Sequence, residues 1–110
     1  MISDRMTKDI DALIQKETDW AIEHLGHFNS RHEAYAVALE ECEETEEDRE
    51  AIEAHFEMLW LLIKDDCRDL TDTLGALRKV VRHEIAELLQ FAAMLDKLEL
   101  YEQKQEAQDE

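Results

Sequence analysis

Two pairs of glutamates in this sequence have the spacing of metal ligands on a helix. Glu41 and Glu44 stand three residues apart, and Glu84 and Glu87 repeat that spacing later in the chain. Side chains three residues apart on an α-helix lie on the same side, so each pair can direct two carboxylates at one point. Mg²⁺ binds carboxylate oxygens and keeps several waters. If the two helices face each other, the four carboxylates predict a magnesium site.

The first pair lies inside a strongly acidic stretch, LEECEETEEDREAIE. Like charges one helical turn apart repel each other, at roughly 0.2–0.5 kcal/mol per pair. Three explanations for this cost remain open: a solvated acidic face, a site for a hard cation, or a polyanion-like surface that binds a basic partner protein. The second pair lies among Val81, Ile85 and Leu88. Carboxylates in such surroundings are costly to bury, so their presence there is informative.

One compact basic stretch directly precedes the second pair, and it contains Arg78, Lys79, Arg82 and His83. In a hydrolase these cations, and Lys97 further along, can hold the oxygens of a triphosphate. The alternative, which the sequence favours, is that they pair with the acidic face of the facing helix.

Other chemistries find little support. The histidines His24, His27 and His32 surround a turn and are better explained as surface residues. No glutamate has a histidine three residues later, which argues against a di-iron carboxylate site. Cys42 and Cys67 form no CxxC motif and are expected to be reduced. A glycine-rich phosphate loop is absent.

The composition predicts an all-α protein. The 110 residues include no proline and two glycines, and the formal net charge is −17. That charge disfavours binding to nucleic-acid polymers and to anionic membranes. The N-terminus lacks the apolar segment of a signal peptide, so we expect a cytoplasmic protein. We expect a single helical domain over 1–101 and a polar, frayed tail over 102–110.

The expected architecture is an antiparallel bundle of three to four long helices. The first helix should begin after Ser3 and end near Gly26. The second should begin with a capping box, Ser30 to Glu33, and should either end near Asp48 or continue into the third. The third should reach Lys64.

The last helix should run from about Asp69 to Tyr101, through Gly75. Within the third helix, the run MLWLLI is apolar on every side, which indicates burial on two sides. A chain of this length has little room for that burial internally. We therefore expect this run to form the interface of a homodimer, in which two copies make a larger bundle.

Two segments resemble a known family. HEAYAVALEECEE and EIAELLQFAAMLDK are similar to the all-α nucleotide pyrophosphohydrolases of the MazG type, especially their small phage and prophage relatives. Those proteins carry E-E-x-x-E on one helix and E-x-x-D on another, which together hold Mg²⁺ beside a nucleoside triphosphate. The resemblance places Glu40, Glu41 and Glu44 on the first motif. It places Glu84 and Glu87 on the second, with Glu87 where the family has aspartate.

The resemblance implies a function for this chain: Mg²⁺-dependent hydrolysis of a (d)NTP to (d)NMP and pyrophosphate, with Mn²⁺ as an alternative cofactor. Four glutamates would bind the metal, Glu40 would be the catalytic residue that orients the attacking water, and three cations would bind the substrate. The four metal ligands would be Glu41, Glu44, Glu84 and Glu87, and the cations Arg78, Arg82 and Lys97. The alternative is a non-catalytic, phage-type acidic helical protein that binds a basic partner.

Overall fold

The computed structural model describes residues 1–109 and folds them into three α-helices. Helix α1 spans Asp4–Leu25, α2 spans Arg31–Lys64 and α3 spans Thr71–Asp109. This confirms an all-helical fold, and the described residues contain no strand. The second and third helices of the sequence prediction are one continuous helix, α2, because no glycine or proline interrupts the strong helix formers between them. In residues 1–109, no helix has the length and apolar character needed to cross a membrane.

The first two helices begin with serine caps, as the sequence predicts. The Ser3 hydroxyl accepts a hydrogen bond from the Met6 amide at 3.1 Å. The Ser30 hydroxyl likewise accepts one from the Glu33 amide at 3.1 Å. Each hydroxyl thus satisfies an amide that has no partner inside its own helix. The Glu33 carboxylate in turn accepts a hydrogen bond from the side chain of Asn29 at 3.1 Å.

The helix ends depend on two residues with positive φ. Gly26 ends α1 with a φ of 79°, and its amide donates to the Ile22 carbonyl oxygen at 2.9 Å. After α2, Asp66 has a φ of 54°. Around it the Cys67 amide donates to the Leu62 carbonyl at 2.9 Å, and the Asp66 amide donates to that of Ile63 at 3.1 Å. This pair of bonds is a Schellman motif, with aspartate where glycine is usual.

Helix α3 begins slightly later and continues further than expected. It starts at Thr71, whose amide donates to the Asp69 carboxylate at 3.0 Å. It passes through Gly75 without interruption and continues beyond Tyr101 to Asp109. The fraying expected of the tail, and the single domain expected over 1–101, stay predictions.

The chain divides into two compact units, and both contain parts of α2 and α3. In the first unit, formed by residues 1–42 and 88–109, α1 packs against the start of α2 and the end of α3 through small buried residues, Ala21, Ala34 and Ala93. Small side chains let helix backbones approach closely. Arg31 on α2 also binds Glu102 on α3, with Nη2 donating to Oε2 at 2.7 Å.

The second unit, residues 43–87, is a two-helix hairpin made from the end of α2 and the start of α3. Its buried residues are polar, namely Thr45 and Glu84. Most of its large apolar side chains are exposed: Phe56, Met58, Trp60, Leu61, Ile63, Leu74, Val81 and Ile85. A hairpin of two helices cannot cover its own apolar face, so these side chains stay exposed within the second unit.

Candidate functional site

A cluster of four carboxylates and one imidazole lies between the helices of the second unit. Helix α2 contributes Glu44 and Asp48, and α3 contributes His83, Glu84 and Glu87. Oxygen atoms of Glu44 and Glu87 lie within 4.8 Å of each other. Asp48, His83 and Glu87 likewise offer atoms that all lie within 4.8 Å of one another. Glu84 interacts with Asp48 and His83. We call these five residues the hairpin cluster.

His83 lies between two carboxylates of this cluster. Its Nδ1 atom lies 2.9 and 2.8 Å from the two carboxylate oxygens of Asp48. Its Nε2 atom lies 3.4 Å from Oε1 of Glu87, one turn later on α3. The hydrogen bond with Asp48, followed by the charges of Asp48, Glu87 and Glu44, raises the pKa of His83. The imidazole therefore favours its charged form, which balances part of the negative charge around it.

Glu84 is the buried carboxylate of the cluster. Its exposed fraction is 9%. In the part of the chain that the structure describes, its buried Oε2 atom has no hydrogen-bond partner. Burial, and then the charge of Asp48, raises the pKa of Glu84, while the charges of Arg49 and His83 act in the opposite direction. A buried carboxylate oxygen without a donor is costly, and a cation is one means of satisfying it.

The donor set of the cluster suits a hard divalent cation. Carboxylate oxygens from two helices are the ligands that Mg²⁺ and Mn²⁺ accept. Glu44 and Glu87 lie close enough to bind one ion together. Glu84 adds an oxygen that has no other partner among the described residues.

The structure brings three of the four predicted metal ligands into one unit: Glu44, Glu84 and Glu87. Glu41 belongs to the first unit, where it borders a small cavity of about 170 Å³ together with Gln90 and other residues. Glu40, the predicted catalytic residue, is exposed and also belongs to the first unit. The roles of Glu40 and Glu41 stay predictions.

The three predicted phosphate-binding cations differ in their surroundings. Arg78 and Arg82 are exposed on α3 in the second unit, where Arg82 Nη1 donates to the Arg78 carbonyl oxygen at 3.2 Å. Lys97 belongs to the first unit and is 4% exposed, with Nζ 4.2 Å from the ring centroid of Phe28. Burial lowers the pKa of Lys97, and the charge of Glu33 opposes that shift. Such burial is typical of a cation held by an aromatic ring in a core.

The alternative explanation of the basic stretch was pairing with the acidic face. Within residues 1–109, Arg78, Lys79 and Arg82 form no salt bridge. The member that does pair with an acid of α2 is His83, through Asp48. The exposed cations of this stretch therefore remain able to bind another anion.

Sequence reasoning overlooked Asp48 and the role of His83. Asp48 follows Glu44 by four residues and so lies on the same side of α2, but it appeared only as one more member of the acidic run. His83 precedes Glu87 by four residues and was grouped with the basic stretch. The helical spacing was a usable signal for both residues. Their partners depend on which turns of α2 and α3 meet.

A groove lies beside the hairpin cluster, within the second unit. Its volume is about 660 Å³. We call it the hairpin groove, and its lining residues are Asp48, Ala51, Ala76, Lys79, Val80, Arg82 and His83. Two of these residues, Asp48 and His83, also belong to the cluster, so the groove and the cluster adjoin each other.

Comparisons with family models, with curated proteins and with solved structures found no match to this chain.

Proposed function

We propose that this chain is a Mg²⁺-dependent nucleotide pyrophosphohydrolase that converts a (d)NTP and water to (d)NMP and pyrophosphate. One observation carries the proposal: the buried carboxylate of Glu84, whose Oε2 has no hydrogen-bond partner in the described residues, interacts with Asp48, a member of a group of acidic side chains from two helices. A chain with this much negative charge gains little from burying another carboxylate unless a cation binds there.

In the proposed reaction, water attacks the α-phosphorus, the bond from that phosphorus to the bridging oxygen breaks, and pyrophosphate leaves. Mg²⁺ bound by Glu44, Glu84 and Glu87 would supply charge stabilisation at the phosphates. Asp48, held by the imidazole of His83 at 2.8 Å, would orient the attacking water and accept its proton. The cations Arg78 and Arg82 would contact phosphate oxygens.

The test is the release of pyrophosphate from a panel of dNTPs, with Mg²⁺ or Mn²⁺ at millimolar concentration. Glu84→Gln should lower turnover about 100-fold or more, because loss of one metal ligand removes both affinity and charge stabilisation. Glu57→Gln, an exposed acid on the same hairpin, is the matched control and should leave turnover unchanged. Absence of pyrophosphate from every dNTP, together with absence of metal binding by calorimetry, would contradict the proposal.

A second function has its own support in the exposure of the acidic run. Most of its carboxylates are exposed rather than paired: Glu40, Glu43, Glu44, Glu46, Glu47, Glu50 and Glu53. Such a surface suits a non-catalytic protein that binds a basic partner. Ionic strength separates the two functions, because a complex held by exposed charges weakens steeply with salt, whereas the hydrolase depends on divalent metal.

We also propose that the chain forms a homodimer through the apolar face of the second unit. Phe56 is 63% exposed and Trp60 is 59% exposed, and Ile63 continues the same side of α2. The two aromatic rings alone leave on the order of 200 Å² of apolar surface in water, and the other exposed apolar side chains of this unit add to it. A second copy offers the same apolar face and can cover it by two-fold symmetry.

A further inference from the structure

We propose that the hairpin groove is the binding site for the nucleotide, with Lys79 and Arg82 on its phosphates and the apolar residues Ala51, Ala76 and Val80 against its base. The inference rests on the proposed function, because it assigns the substrate of that site to a place in the second unit. It selects Lys79 and Arg82 from the basic stretch as the phosphate-binding cations of the groove, and it adds a base-binding surface that no motif indicates.

The size and lining of the groove support this assignment. A volume of about 660 Å³ falls within the range of small-molecule sites, roughly 300–1,000 Å³. The lining combines small apolar side chains with charged ones. Ala51, Ala76 and Val80 present methyl groups, against which a flat base can pack without a hydrogen-bonding penalty. The residues that line the groove thus offer apolar contacts for a base and cationic contacts for phosphates.

The charge of the groove supports an anionic ligand. The chain has 12 lysines and arginines against 29 aspartates and glutamates, so each cation has many possible acidic partners. Lys79 and Arg82 nevertheless form no salt bridge among residues 1–109. The hydrogen bond of Arg82 to the Arg78 carbonyl uses one Nη1 donor and leaves other guanidinium donors for a ligand. Both cations line the groove, where phosphate oxygens can reach them.

The position of the groove beside the hairpin cluster predicts a requirement for metal. Asp48 and His83 line the groove and belong to the cluster. Bare phosphates would lie close to carboxylates and be repelled, at distances too short for salt to screen. A divalent cation bound between the phosphates and the carboxylates removes that repulsion. The groove should therefore bind a nucleoside triphosphate tightly with Mg²⁺, and weakly without it.

The experiment measures binding of an α,β-methylene dNTP analogue to the full chain by calorimetry, in the presence of Mg²⁺. The double variant Lys79→Gln, Arg82→Gln should bind the analogue about 10- to 100-fold more weakly, because each lost charged hydrogen bond weakens binding severalfold. The double variant Lys64→Gln, Arg68→Gln removes two exposed cations outside the groove and should bind as the wild type does.

A third variant tests the apolar surface. Ala51→Leu keeps a strong helix former on α2 while filling part of the groove, so it should weaken binding of the analogue and leave binding of Mg²⁺ alone unchanged. Circular dichroism confirms that each variant is folded.

The outcomes distinguish this inference from the proposed function. Wild-type affinity in both the groove double variant and Ala51→Leu would overturn the inference, while release of pyrophosphate from dNTPs would still uphold the function. Loss of analogue binding in those variants, with no hydrolysis by the wild type, would uphold the inference and overturn the function. A change in oligomeric state on Ala51→Leu, with unchanged affinity, would show that a second copy covers the groove and would overturn the inference.

Discussion

Glu84 is the residue on which the proposed chemistry depends most. Its side chain is buried, and its pKa is raised mainly by that burial and, to a smaller extent, by the charge of Asp48. A carboxyl group with a raised pKa in the folded state contributes stability at low pH, and that stability is lost as the pH rises from the ordinary value of 4.5 through the folded-state pKa. Ionisation of Glu84 in the metal-free protein is therefore unfavourable.

We predict that Glu84→Gln stabilises the metal-free protein at neutral pH by about 1 kcal/mol, because it removes a buried charge that lacks a donor. For a domain of this size that is roughly 4–8 °C in Tm. Thermal unfolding in EDTA measures the effect. In Mg²⁺ the order should reverse, since a ligand at about 100 times its Kd stabilises the wild type by roughly 2.7 kcal/mol. A lower Tm for the variant in EDTA would contradict the prediction.

The raised pKa of His83 predicts a second dependence on pH. The stability that charged His83 contributes is fully present below its ordinary pKa of 6.5 and is lost as the pH rises through the higher folded-state pKa. His83→Asn should abolish this loss, because asparagine carries no charge. The free energy of unfolding, measured in EDTA across that pH range for the wild type and the variant, checks this prediction. His32→Asn, an exposed histidine on α2, is the control and should keep the wild-type pH dependence.

Spacing predicted Glu41, Glu44, Glu84 and Glu87 as metal ligands, because residues three apart share a side of a helix. The structure places the last three of them in the second unit, and their role as ligands stays a prediction. To predict that Asp48 and His83 meet, one needs more than the spacing within each helix. Which carboxylate meets the imidazole depends on how far α2 and α3 are shifted along each other, and that shift follows from the length of α2 and the turn at Asp66. No short motif encodes either quantity.

At the scale of elements, the two glycines have opposite roles. Gly26 ends α1 with a φ of 79° and a ψ of 177°, a combination that residues other than glycine rarely adopt. Gly75 lies inside α3, and a Cβ atom placed there would meet nothing within 4 Å. Substitution by alanine should therefore lower stability at Gly26 and raise it at Gly75.

We predict that Gly26→Ala destabilises the protein by about 1–3 kcal/mol, through backbone strain. Gly75→Ala should stabilise it by about 0.5–1 kcal/mol, because alanine loses less backbone entropy in a helix. Urea unfolding of the two variants measures both effects, and each variant serves as the control for the other. The same sign for both substitutions would show that the glycine conformations do not govern these positions.

The sequence predicts the helix starts better than the helix ends. Serine caps at Ser3 and Ser30 are strong local signals, and both hold in the structure. The end of α2 has no glycine, and the positive φ of Asp66 gives no comparable signal. The continuity of α2 through the acidic run was left open, because like-charge repulsion opposes a helix there while intrinsic propensity favours it. Because α2 is one continuous helix, intrinsic helix propensity outweighs the like-charge repulsion in this stretch.

At the scale of the whole molecule, the apolar face of the second unit predicts the oligomeric state. Light scattering after size exclusion should give twice the mass of one chain. Trp60→Gln should weaken the dimer by 2 kcal/mol or more, about 30-fold in Kd, because large aromatic residues dominate interface energetics. Trp20→Gln is the control, since Trp20 is exposed in the first unit and stacks on His24 at 4.3 Å. A monomeric wild type would contradict the dimer.

The division of the chain also has a consequence for the order of folding. The second unit is one uninterrupted segment, whereas the first is assembled from two segments separated by it. Closing a short connection costs less entropy than closing a long one, so the hairpin should form early and act as the nucleus. Asp66→Val places a β-branched residue at positive φ in the hairpin turn, so it should slow refolding in stopped-flow experiments. Ala21→Gly in α1, outside the hairpin, should mainly accelerate unfolding.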